Sequence, residues 1–108
     1  MKSTFLQQTK AIADGTTAFS RLGFNSAKVI VYGGTDTKDI ELHSGDSSGQ
    51  TKLLVLGKSG GAGTVKDFDV DLSACGDYIK IAGTSLTSVT VVLGDPDIAP
   101  ASTNAVAR

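Results

Sequence analysis

Hydrophobic and polar residues alternate with a period of two along most of the chain, the pattern of strands that bury one face. The clearest stretch is Val65 to Leu72, where Phe68, Val70 and Leu72 share one face and Asp67, Asp69 and Asp71 the other. Lys28-Val29-Ile30-Val31-Tyr32 consists almost wholly of strand formers and stops at Gly33-Gly34. After Thr35-Asp36-Thr37-Lys38 the alternation resumes in Ile40-Glu41-Leu42-His43, so these two strands are expected to pair as a hairpin. Thr17 to Leu22 also alternates, and Phe5 to Ile12 reads as a first strand or an extended arm. Leu53-Leu54-Val55-Leu56 is a continuous apolar run, the form expected of a short strand buried on both sides. Tyr78 to Ile81 and Ser88 to Leu93 complete the set.

Turn chemistry divides these segments. Asp14-Gly15, Gly23 to Ser26, Cys75-Gly76-Asp77 and Gly83-Thr84-Ser85 are turn signals, and Ser44 to Gly49 reads as a polar, flexible loop. Gly57 to Gly63 holds four glycines and reads as another loop. Seven or eight strands at roughly 8–12-residue spacing predict an all-β antiparallel sandwich, jelly-roll or immunoglobulin-like. The domain is expected over residues 14–94, preceded by an N-terminal arm or first strand over 1–13. Past Gly94 both prolines appear and strand formers thin out, so 95–108 reads as an extended tail.

Composition strengthens this reading. One Glu, one Met and two Arg stand against twelve Thr, nine Val, six Ile and thirteen Gly, which is poor in helix formers. At 108 residues the chain suits one small domain with a modest core. A net charge of −1 argues against nucleic acid or an anionic membrane held through a large net field. No apolar run approaches the roughly 18 residues of a membrane-spanning helix. Gln7-Gln8-Thr9-Lys10 interrupts the apolar start Phe5-Leu6, so no export signal is expected and Cys75 is expected to be a free thiol in a reducing cytoplasm.

Few residues offer chemistry. With one cysteine and one histidine, the chain has no intrachain disulfide and no multi-Cys or multi-His metal cage. Cys75 and His43 could act together only if the fold brought them into contact, and nothing in their spacing does so. Leu56-Gly57-Lys58-Ser59 imitates the end of a phosphate-binding loop, but Lys52 stands where the first glycine belongs and no helix follows. Asp67, Asp69 and Asp71 would form a row too flat to converge on a hard cation. They read instead as a solvated face with Lys66 or Lys80 across a strand. Phe19 and Phe68 read as core, Tyr32 and Tyr78 as strand-end residues with wet hydroxyls. No catalytic residue, cofactor or metal is expected.

Ala27 to Tyr32, a Gly/Thr/Asp turn, Ile40-Glu41-Leu42 and the Ser44 to Gly49 segment together resemble part of small bacteriophage virion proteins of the head decoration, or cement, type. Tyr78 to Ile81, a Gly/Thr/Ser spacer and Thr87 to Leu93 resemble the ending of the same group, giving a likeness over about residues 15–94. The resemblance implies a structural, non-enzymatic virion protein that stabilises a phage head by bridging major capsid proteins. It also implies a homo-oligomer, commonly a trimer, gripping its neighbours through terminal arms. Within those arms Phe5, Leu6, Ile98 and Val106 are the candidate interface residues. A neck, tail or fibre component, or a carbohydrate- or calcium-binding β module, remains as an alternative.

Overall fold

The computed structural model describes residues 9–96. Eight strands follow one another: β1 (Thr9–Ile12), β2 (Phe19–Ser20), β3 (Phe24–Gly33), β4 (Asp39–Asp46), β5 (Gly49–Lys58), β6 (Val65–Asp71), β7 (Tyr78–Ala82) and β8 (Leu86–Pro96). They form two antiparallel sheets of four strands, in the orders β1-β8-β3-β6 and β2-β7-β4-β5. There is no helix among the described residues, as the composition predicts.

Alternation decides which way each strand faces. Val29 and Val31 of β3, Val89, Val91 and Leu93 of β8, and Val70 of β6 are buried inward from the first sheet. Ile40 and Leu42 of β4 and Ile79 and Ile81 of β7 meet them from the second. Phe19 and Phe68 pack partly buried against this core, in line with their reading as core residues. Tyr32 stands exposed near the end of β3, and Tyr78 opens β7.

Chain order follows one simple path. β4 and β5 pair with each other at the centre of the sequence, then β3 with β6, β2 with β7 and β1 with β8. Every connection except β4–β5 crosses from one sheet to the other. The result is one long hairpin bent over on itself, with β3–β8 and β4–β7 contacts closing the sheets.

This arrangement corrects the expected pairing of the strand around Val29 with that around Leu42. β3 and β4 lie in different sheets, and the segment between them is an arch. Gly33 and Gly34 have φ of +85° and +102°, which turns the chain out of the plane of the first sheet. Donors of the arch then bond to other connections, Gly33 N to Thr64 O and Thr35 N to Thr84 O, instead of building a ladder.

The polar segment Ser44 to Gly49 is likewise no open loop. β4 runs to Asp46 and β5 starts at Gly49, leaving a turn of Ser47 and Ser48. The Asp46 carboxylate accepts from Ser48 N at 2.9 Å, Ser48 Oγ at 2.7 Å and Gly49 N at 3.2 Å, which holds the reversal tight. The strand expected over Thr17 to Leu22 shrinks to Phe19–Ser20. On one side the Asp14 carboxylate binds Thr16 N, Thr16 Oγ1 and Thr17 Oγ1, and on the other Leu22 takes a φ of +53°. β8 extends two residues past Gly94, to Pro96, by pairing with Phe24 of β3.

Candidate interaction surface

Among the described residues β5 forms one end of the second sheet and pairs on one side only, with β4. Its apolar run is therefore not buried on both faces, as continuous hydrophobicity suggested. Leu53, Leu54 and Val55 are 46%, 39% and 43% exposed. Register explains how they come to lie open. Glu41 pairs with Val55 but Ile40 with Gly57, and His43 pairs with Lys52 but Leu42 with Leu54. β5 thus carries one extra residue at Leu56 and another at Leu53, bulges that break the inward alternation and twist the strand. Leu56 still reaches the core edge, whereas Leu53 is carried into solvent.

Lysines bracket the run. Lys58 donates to Asp39, and Lys52 Nζ lies 3.6 Å from Glu41 Oε2. Charged residues and bulges are the usual guards of an exposed strand edge. Both appear here, yet the three apolar side chains between them remain open. The flanking lysines and the position of the run beside a tight turn are the sequence signals that mark an edge strand. Apolar continuity alone pointed the other way.

Beside this edge, on the outer face of the second sheet, His43 Nε2 lies 3.0 Å from Glu41 Oε1. The His43 hydrogen bond, with Lys52 nearby, holds the Glu41 carboxyl below the usual range. Asp39 is held low by the Lys58 hydrogen bond in the same way. Ser44, next along β4, points inward, where its hydroxyl meets Cys75 and also accepts from Gly76 N at 2.8 Å. Cys75 is buried, and burial pushes its thiol up. The sheet therefore stands between His43 and Cys75, which the fold does not bring together.

On the first sheet's outer face the aspartate row is arranged as alternation predicts, with a different partner. Lys28 of β3 reaches across to Asp67 at 3.7 Å and Asp69 at 3.8 Å. Lys66 lies on β6 itself and Lys80 on the other sheet, so neither is the cross-strand cation. Asp71 instead accepts from Ser73 N at 2.9 Å. Nearby, small residues Ser26 and Gly94 lie side by side in β3 and β8 and floor an open hollow of about 820 Å³, walled by Thr9, Lys28, Asp69 and Asp71. Among the described residues, no group of three or more His, Cys, Asp or Glu is placed to hold a metal ion.

The loop-like Gly57-Lys58-Ser59 has a structural role. Gly57 and Lys58 close β5, and the Ser59 hydroxyl is buried, donating to Gly33 O at 2.9 Å and accepting from Gly61 N at 3.1 Å. Phe5, Leu6, Ile98 and Val106, the interface residues expected in the arms, lie outside the described residues. Among the described residues, no helix is long and apolar enough to cross a membrane. Comparisons with protein-family models, with curated proteins and with solved structures find no match.

Proposed function

We propose that this chain is a structural virion protein, a capsid decoration subunit that stabilises a phage head by bridging major capsid proteins. Strand order is the observation that carries the reading. Sheets ordered β1-β8-β3-β6 and β2-β7-β4-β5 are what a rolled hairpin of eight strands yields, which favours the jelly-roll alternative. An immunoglobulin-like sandwich keeps its first two strands in one sheet, whereas β1 and β2 here lie in different ones. Eight-stranded jelly rolls recur in viral capsid domains, and the step from that architecture to this role is an analogy. The open β5 edge adds support of a different kind, because a subunit packed among neighbours needs contact surface outside its core. Major capsid protein is the partner in this reading, and the assembled virion is where the chain resides.

Peptide counting on purified virions tests it. A decoration subunit is expected in copies comparable with the major capsid protein. A few copies per particle would move the chain to the neck, tail or fibre, and absence from particles would overturn the reading. The hollow over Ser26 and Gly94 favours a second reading, a carbohydrate- or calcium-binding module, since jelly rolls also serve as lectin domains. Calorimetry with a glycan panel and with calcium decides that one; no heat with either removes it.

A further inference from the structure

Thr9, Gly94, Ser26 and Asp71 oppose one another in turn, so they form one straight line across the outer face of β1, β8, β3 and β6. The hollow follows this line, and Val92, Lys28 and Asp69, which oppose one another in the next line, form its wall. Gly94 is what opens it. That glycine has no left-handed φ and keeps an unbroken register with Thr9 and with Ser26, so neither a turn nor a bulge calls for it. A glycine inside a strand weakens the strand, and away from bulges it often marks a close approach by a ligand or another backbone. The hollow above Gly94 is open, so among the described residues no other backbone of this chain makes that approach. Asp95 adds a second irregularity. Alternation would turn it the same way as the buried Leu93, but its φ of +58° is left-handed and it lines the hollow instead.

The surroundings select the chemistry of a guest. An open, shallow site buries too little surface to hold a lipid or another wholly apolar ligand. Among the described residues, the carboxylates of Asp69, Asp71 and Asp95 stand against the single ammonium of Lys28, which disfavours sulfated, phosphorylated or sialylated groups. These side chains suit a set of hydroxyls. Carboxylates accept from hydroxyls, the Lys28 ammonium donates to them, and the Thr9 and Ser26 hydroxyls do both. The bond from Ser73 N already fixes the Asp71 carboxylate. We propose that the hollow binds a neutral saccharide, one sugar ring lying flat on Gly94 and Ser26 against Val92, with its hydroxyls toward Asp71 and Thr9. The inference rests on the second reading above, the ligand-binding module, and names a saccharide rather than calcium as its ligand. No aromatic ring lines the hollow among the described residues, so a single sugar is held weakly, in the millimolar range.

Amide NMR of the full chain tests this, with glucose, galactose, mannose, N-acetylglucosamine and their short linear oligomers as probes. One of them is expected to give saturable shifts at Thr9, Ser26, Asp71 and Gly94, and none at His43 or Lys80 on the other sheet. Gly94→Thr fills the floor with a strand-forming side chain. It is expected to weaken binding by about tenfold or more while its urea midpoint stays equal or rises, whereas a glycine needed only by the fold would lose stability. Lys80→Ala is expected to bind as the unmodified chain does. Shifts that map elsewhere, or binding that Gly94→Thr leaves intact, overturn the inference and leave a saccharide module with its site in another place. Binding confined to sulfated or sialylated sugars overturns it too. No shift with any neutral sugar at millimolar concentration also overturns it, and heat with calcium would then keep the module reading alone. Should Gly94→Thr fail to fold, the shift map of the unmodified chain decides.

Discussion

A Cβ placed on Gly57 would fall 2.6 Å from Cε1 of Phe68, so the backbone of β5 lies directly against the ring of β6. These strands belong to different sheets, and this contact closes the sandwich at the edge where both sheets end. Gly57→Ala would force the half-buried ring aside or spread the two strands. Overpacking of this kind typically costs about 1–3 kcal/mol. A urea midpoint for Gly57→Ala equal to that of the unmodified protein would show that the ring moves freely.

Leu42 and Leu53 read alike in the sequence and should respond oppositely to truncation. Leu42 is 0% exposed between β5 and β7, whereas Leu53 sits on a bulge, 46% exposed. Leu42→Ala is expected to cost about 2–5 kcal/mol, the range for truncating a buried leucine. Leu53→Ala should stay within about 0.5 kcal/mol at protein concentrations where the chain is monomeric. Comparable losses for both, measured by chemical denaturation, would place Leu53 in a core after all.

Acid should weaken the fold. Hydrogen bonds from Thr16, Lys58, Ser48 and Ser73 hold Asp14, Asp39, Asp46 and Asp71 below the ordinary aspartate value of 3.8, and His43 holds Glu41 below 4.5. A carboxyl whose folded pKa is depressed contributes stability that is present above its unfolded value and is lost as pH falls through the folded one. The urea midpoint is therefore expected to be steady near neutrality and to drop below about pH 4. Asp46→Ala should flatten part of that drop, because it removes the group that binds three donors in the β4–β5 turn. An acid limb identical in Asp46→Ala would assign the loss to other carboxylates.

Cys75 should be slow to react. The thiolate is the nucleophile, and burial both raises the thiol's pKa and blocks access. A chromogenic disulfide reagent is expected to titrate Cys75 promptly in urea and only slowly in the native protein. Equal rates in the two would mean that the segment after β6 opens readily.

Period-two alternation made β3, β4, β6, β7 and β8 legible, because each buries one face and solvates the other. It carried no information on which strands pair. Val29 and Leu42 lie on inward faces of opposite sheets, and only the glycine arch at Gly33-Gly34 separates that outcome from a hairpin. The apolar run on β5 misled for a related reason: bulges at Leu53 and Leu56 set the register against β4, and bulges are invisible to a count of apolar residues. Lys28 went unassigned to the aspartate row because cross-strand partners follow from topology, not from spacing along one strand.

Ser59 ties the arch to the β5–β6 connection, and its removal should be felt in both. Its hydroxyl donates to Gly33 O and accepts from Gly61 N, while its backbone N donates to Lys38 O at 2.9 Å and its carbonyl accepts from Thr37 N at 3.3 Å. Ser59→Ala keeps the backbone bonds and leaves a buried carbonyl and a buried N–H without the hydroxyl. Leaving such groups unsatisfied costs about 1–3 kcal/mol, far more than the same change at an exposed serine. Ser47→Ala, at the tip of the β4–β5 turn, is the matched exposed control and should shift stability by less than about 0.5 kcal/mol. Amide exchange adds a local readout, because Gly61 N should lose protection in Ser59→Ala while the ladder between β3 and β8 keeps its own. Equal urea midpoints for the two variants, with Gly61 protection intact, would mean that water replaces the hydroxyl at no cost and that the arch holds its shape through its backbone bonds alone.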